Sequence, residues 1–309
     1  MSVNLYRKTL KRIRPAHRAT HWLMGHGVIP LLERSRGFGT MPDDPFWFRL
    51  ELLTRRHERE TMAVLDSLVR PSTIMLDVGA HVGYYARRYA PVVGGDGGQT
   101  AGGRIFAFEP HPRTFAMLRR NVGPFAQVTP VQAALAEVAG TAVLHDYLIM
   151  SASGSLHYDE SMVALQQAHV HEGDVAPRIA QEFQPQTFTV QTMPGDDFLA
   201  EQGISQVDVI KMDIEGAEIG ALRGLRQTIA RSPGLKLVME YNPAALQAFG
   251  HEPAAALAEV LAMGFQQVQV IEAGGALTDL TGREATIKQL TTQLMDHMGV
   301  VNLLFSRES

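Results

Sequence analysis

Ile74-Met75-Leu76-Asp77-Val78-Gly79-Ala80-His81-Val82-Gly83 is the stretch on which the fold turns. A short apolar run ends in glycines at 79 and 83, which reads as a buried strand passing through a tight turn into a helix. Gly79 lets the chain turn sharply and lets a ligand reach the backbone with no Cβ in the way. The dinucleotide pattern G-x-G-x-x-G is not met, because His81 stands where its second glycine belongs. Asp77 at the strand end would repel a pyrophosphate but suits an ammonium. The stretch therefore favours a cofactor carrying an amino acid over a nicotinamide dinucleotide. The competing structural reading is a tight strand–helix turn in which Asp77 caps the helix.

Strands and helices alternate outward from this point. Residues 104–109, 128–133, 207–213, 235–240, 265–272 and 300–306 read as strands, with helices over 83–89, 113–122, 218–229 and 253–263 between them. Such alternation means a mostly parallel sheet with helices on both faces, a Rossmann-like α/β fold. Upstream, residues 46–70 read as one helical lead-in, stopped by Pro71. Residues 37–45 read as a Gly/Pro linker, so the domain is placed at 46–309, its core at 71–309, behind a basic extension at 1–45. Removal of residues 1–40 is expected to leave the cofactor site intact. Residues 151–184 lack a clear period and read as an insertion near the substrate entrance.

Two further motifs fit the first. Phe106-Ala107-Phe108-Glu109-Pro110 puts an acid at the end of the second strand, where a carboxylate can accept both hydroxyls of a ribose. It lies 30 residues beyond Gly79 rather than the usual ~20; a Gly-rich segment at 94–103 accounts for the excess. In Gln132-Ala133-Ala134-Leu135, small side chains leave room for a flat adenine, or simply pack a strand end.

Composition narrows the classes. The 309 residues are 45% apolar, enough for a full core, and include no cysteine, which excludes disulfides, Cys-ligated zinc, iron–sulfur clusters and thiol nucleophiles. No apolar run reaches the roughly 18–20 residues of a membrane span, and no clean signal peptide is visible, so a cytoplasmic location is expected. A net charge of −4 provides no field to recruit nucleic acid. The basic residues Arg7, Lys8, Lys11, Arg12, Arg14 and Arg18 crowd the first 22 positions without an acid, and a basic helix over about Leu5–Arg14 is expected to stop at Pro15. Residues 5–18 offer either a peripheral contact with an anionic membrane or a solvated arm or homo-oligomer contact.

Together with Val209-Ile210-Lys211-Met212-Asp213-Ile214-Glu215-Gly216-Ala217-Glu218, the motifs resemble the FkbM family of S-adenosylmethionine-dependent methyltransferases. The resemblance covers about residues 57–306 and departs at His81, where the family usually has Asn. It implies a class I methyltransferase fold of seven strands, the last antiparallel. It also implies O-methylation of a sugar, glycolipid or natural-product hydroxyl. The cofactor residues it points to are Asp77, Gly79, His81, Gly83, Tyr84, Glu109, Ala134 and Asp213.

Sites in such sheets lie at the carboxyl ends of the strands, where Asp213 and Glu240 end two strands. Lys211 and Asp213 share one face by the two-residue period. Three readings stay open. Asp213 is a general base, its pKa raised by burial and carboxylate neighbours; or Asp213, Glu240 and Glu215 hold Mg²⁺; or Lys211 pairs with Asp213 or Glu240 while Glu215 and Glu218 cap a helix. Tyr84 and Tyr241 are candidates for the methyl pocket. His111, His157, His169 and His171 read first as surface residues. Two other functions compete: an NAD(P)-dependent oxidoreductase on a related fold, and a non-catalytic assembly protein that keeps the methyltransferase fold.

Overall fold

A computed structural model describes residues 14–95, 102–147, 150–152, 154–158, 186–297 and 299–307. At its centre is a sheet whose parallel strands are β1 (Ile74–Val78), β2 (Arg104–Phe108), β3 (Val128–Val131), β7 (Val209–Met212) and β8 (Lys236–Tyr241). On its far side stand β9 (Gln267–Ile271), β10 (Leu277–Asp279) and β11 (Val301–Ser306), in the overall order β10-β9-β11-β8-β7-β1-β2-β3. The sheet thus has eight strands, not the seven expected. The closing strand β11 runs antiparallel to both β8 and β9, as expected, and the additional strand is the short exposed edge β10, antiparallel to β9. Three polar-edged residues carry too little period to be recognised as a strand in sequence. A second sheet, β4-β6-β5, joins β4 (Ala134–Leu135), β5 (Gly140–Asp146) and β6 (Gln186–Met193).

The two-residue period sorts side chains between two cores. Leu76, Val78, Phe106, Phe108, Ile210, Met212, Leu237 and Met239 face one layer, over helices α8 (Glu218–Arg223), α9 (Arg226–Arg231) and α11 (Pro253–Ala262). Met75, Ile105, Ala107, Val209 and Val238 face the other, covered by α3 (Phe46–Leu53), α4 (Arg59–Leu68) and α5 (Tyr84–Gly94). Alternation also places Asp77, Lys211 and Glu240 on this second face. The register pairs Asp77 with Lys211 across β1 and β7, so a carboxylate and an ammonium sit side by side under the lead-in helices.

Several segments differ from the sequence reading. The lead-in is two helices, because residues 54–58 break the chain, with Arg55 at φ 56° and Glu58 at φ 44°. The expected helix over 218–229 is also two, α8 and α9: Gly224 there lies against the Ala136 carbonyl, where a Cβ would meet oxygen at 2.1 Å. Residues 37–45 are packed rather than a free linker. Phe38, Thr40, Met41 and Asp44 are buried, and Gly39 exchanges backbone hydrogen bonds with the Asn121 amide at 2.7 and 2.8 Å. Upstream, α1 (Arg14–Leu23) passes through a π-helical turn into α2 (Ile29–Arg36), so Pro15 lies at the start of described helix rather than beyond its end. Ile29 is fully buried, so truncation at residue 40 would strip the core of Ile29, Phe38 and Thr40. Most of the basic segment 5–18, and residues 159–184 of the expected insertion, with His169 and His171, lie outside the described residues. Among the described residues no helix is long and apolar enough to cross a membrane.

Candidate active site

The loops after β1, β2, β3 and β7 open onto one crevice at the carboxyl ends of the strands. It is lined by Gly79, Ala80, His81, Tyr84, Glu109, Ala133, Ala134, Lys211, Asp213 and Glu215, with Phe48, Leu52 and His57 from the lead-in and Ser151 from the stretch after β5. The glycine turn is fixed by steric need. Gly79 sits at φ 77°, and a Cβ there would fall 1.9 Å from the Asp213 carbonyl oxygen, so the first and fourth motifs touch backbone to backbone. His81 is also left-handed, at φ 51°, a conformation that Asn and His tolerate better than most residues. Its Nε2 lies 2.5 Å from the Ser151 hydroxyl. Burial, then the neighbouring His57 and Lys211, push its pKa down to about 3, so the ring is neutral.

Glu109 reaches across the turn. One carboxylate oxygen accepts the His81 N–H and the other the His111 N–H, both at 2.9 Å. Each oxygen keeps lone pairs for a ligand, which suits a pair of ribose hydroxyls. Burial raises its pKa to about 7 against the lowering pull of those N–H groups. Ala133 and Ala134 form the adjacent wall. His111 is no surface histidine: it caps α6 (Pro112–Val122) through Nδ1, and its Nε2 meets Asp146 at 3.1 Å.

Asp77 lies beneath the turn rather than on the crevice wall. It is fully buried, with one oxygen accepting the Ala86 N–H at 3.0 Å and the other, Oδ1, without a partner. Burial raises its pKa to about 6 although Lys211 opposes the shift. Gly83 also stands off the wall; it lets α5 approach Leu118, which a Cβ would meet at 2.8 Å. Tyr84 does line the crevice, while Tyr241 turns away and bonds Thr291 at 2.7 Å.

Lys211 is the buried hub. Its Nζ lies 3.1 Å from Asp213 and 4.9 Å from the centre of the Tyr85 ring. Burial disfavours its charge, but Asp213, Glu58 and Asp77 outweigh that and hold its pKa above the usual lysine value. Oxygens of Glu58, Asp213 and Glu240 lie within 4.8 Å of one another. Burial and the surrounding carboxylates push Glu240 well above its ordinary pKa and Glu215 to about 8. Glu215 instead accepts from Asn242 at 3.3 Å, and Glu218 turns back to cap the loop, accepting the N–H groups of Ile214 and Gly216. The acidic triad is therefore Glu58–Asp213–Glu240, with Glu58 in the place expected for Glu215. Glu58, His57, Ser151 and Asp44, which holds Ser151, are site residues that the sequence reading missed. Eight successive polar residues from Thr54 to Thr61 were the available sign that the lead-in helix breaks there.

Carboxylates outnumber cations around this crevice, and the His81 ring is neutral. A partnerless buried oxygen on Asp77, lone pairs on Glu109 and a glycine cradle fit a ligand that bears positive charge, an amino acid and a ribose. S-Adenosylmethionine has all three.

Comparison with known proteins gives the family. The family described as the methyltransferase FkbM domain matches residues 77–266. The chain is 25% identical over 175 residues to the 2-O-methyltransferase NoeI of Sinorhizobium fredii, a match covering 55% of this chain and 64% of that protein. It is 23% identical to the hexuronic acid methyltransferase AglP of Haloferax volcanii, over 56% of this chain and 59% of that one. The chain thus spans about three fifths of the length of these relatives. Among solved structures, methyltransferase FkbM from Methylobacillus flagellatus is 15% identical with a TM-score of 0.39, covering 90% of this chain and 58% of that one. With the match running from Asp77 near the end of β1 to the residue before β9, the chain belongs to the FkbM methyltransferase family.

Proposed function

We propose that this protein transfers the methyl group of S-adenosylmethionine to a hydroxyl of a sugar-containing acceptor. The observation that carries this reading is the carboxylate-rich crevice around Lys211, with Glu109 at its wall. The cofactor supplies an activated methyl on a sulfonium. The chain must align the acceptor oxygen with it, exclude water and take one proton. Asp77 and Glu109 would hold the ammonium and the ribose, while His81 and Ala134 shape the turn and the adenine wall. As the new O–C bond forms and the S–C bond breaks, the hydroxyl proton passes to the carboxylates. Asp213, on the crevice wall, is the group placed to receive it, with Lys211 fixing its orientation and Glu240 within 4.8 Å. The neighbouring Glu240, whose pKa burial and the surrounding carboxylates raise, has an affinity for protons closer to the working pH. The names of the two relatives support oxygen as the acceptor atom and a sugar as its carrier.

The grouping of Glu58, Asp213 and Glu240 favours a second reading of the same step, in which these carboxylates hold a divalent ion that binds the acceptor hydroxyl. The Lys211 ammonium beside Asp213 competes with such an ion, so the base reading is preferred. The test is transfer of labelled methyl to a panel of neutral and acidic glycans. Methyl ethers should form, at rates that fall roughly 100-fold or more in Asp213→Asn and survive chelation. Unchanged transfer in that variant contradicts the role of Asp213, and loss on chelation selects the metal.

A further inference from the structure

Leu52 and Tyr84 wall the crevice on one side and a second, more open groove on the other. This groove has a volume of about 460 Å³, within the range of roughly 300–1,000 Å³ of small-molecule sites. Phe38, Tyr84 and Phe125 give it aromatic walls, and Arg36, Arg55, Arg87 and Arg88 bring four guanidinium groups to it. Asp66 neutralises Arg88 at 2.7 Å. Among the described residues no carboxylate lies within ion-pair distance of Arg36, Arg55 or Arg87. Arg87 is held instead by the backbone carbonyls of Asn121, at 2.5 Å, and Arg36, at 3.0 Å, and it lies over the Phe125 ring at 5.1 Å. Carbonyls and an aromatic face fix a guanidinium without cancelling its charge. Such an oriented, uncompensated fork suits a phosphate or carboxylate. The groove is thus opposite in sign to the carboxylate-rich crevice, with which it shares Tyr84 and Leu52.

We infer that this groove is an anion subsite, which takes a phosphate or carboxylate group of the acceptor while a nearby hydroxyl reaches the crevice. The inference rests on reading the crevice as the methyl-transfer site, and it narrows the acceptor to an anionic saccharide or saccharide phosphate. The test is calorimetric titration of the full chain with inorganic pyrophosphate, glucuronate and glucose. Arg36→Glu and Arg55→Asn serve as variants, since Asn accepts the left-handed backbone at 55. Titration with S-adenosylhomocysteine runs in parallel. The two anions should bind saturably and glucose should not. Each variant should weaken anion binding by about tenfold or more while its affinity for S-adenosylhomocysteine stays unchanged. Absence of anion binding, or binding indifferent to both substitutions, overturns the proposal. So does binding confined to phosphatidylcholine vesicles containing phosphatidic acid, which would make the groove a membrane contact. If the anions bind and S-adenosylhomocysteine does not, the crevice reading fails and the acceptor role fails with it.

Discussion

Asp77 carries the sharpest test at the scale of single residues. Its Oδ1 is buried without a partner, and leaving an ionisable oxygen so placed is costly unless a ligand completes it. Asp77→Asn keeps an oxygen for the Ala86 N–H and removes the buried charge. We expect the ligand-free protein to melt at the same or a higher temperature. Affinity for S-adenosylmethionine should fall by about 1.5–3 kcal/mol, or roughly 10- to 150-fold. Calorimetry alongside thermal melting checks both, and undiminished affinity would remove Asp77 from the binding site. The sequence made this residue legible because a strand ending in an acid beside a glycine turn has few purely structural uses. It did not show that the side chain lies under the turn, since that depends on which face of β1 the lead-in helices cover.

Among the elements, strands buried on both faces were easy to read from their unbroken apolar runs. The two-residue period put Lys211 and Asp213 on one face, and they pair at 3.1 Å; the register of Asp77 with Lys211 needed the order of β1 and β7 in the sheet. The segments that stayed hidden owe their structure to tertiary contacts. Residues 37–45 have the composition of a linker, yet they are tied down by hydrogen bonds to Asn121 and Ser151, which are distant in sequence. Glu58 reads as the solvent face of a continuous helix until two left-handed residues turn it inward. The segment around Asp44 supports the site through a relay. Asp44 accepts from the Ser151 N–H and hydroxyl, both at 2.7 Å, and that hydroxyl touches His81. Asp44→Ala should cost about 1–3 kcal/mol of stability and weaken cofactor binding, with Asp44→Asn intermediate, as read by denaturant melts and calorimetry. An alanine variant with wild-type stability would show that the segment only rests on the surface.

For the whole molecule, the buried carboxylates set a pH dependence. Glu109 and Glu218 have pKa values raised to about 7 and Glu215 to about 8, whereas an unfolded glutamate titrates near ~4.3. Between these values the folded chain holds more protons than the unfolded one, so its stability falls as pH rises. His57 and His81 act oppositely, since their lowered values cost stability only as pH drops below about 6.5. From about pH 6.5 to 8 the carboxylates therefore decide the sign, and the ligand-free protein loses stability as they ionise. A cationic ligand reverses the preference by favouring the ionised carboxylates. It should bind more tightly as pH rises through this window and release protons on binding.

Calorimetric titration of the intact protein with S-adenosylmethionine and with NAD, at pH 6.5 and pH 8, tests the assignment of the crevice most directly. The structure predicts saturable binding of S-adenosylmethionine, tighter at the higher pH and with proton release, and none of NAD. Binding of NAD alone, or of neither ligand, would contradict it.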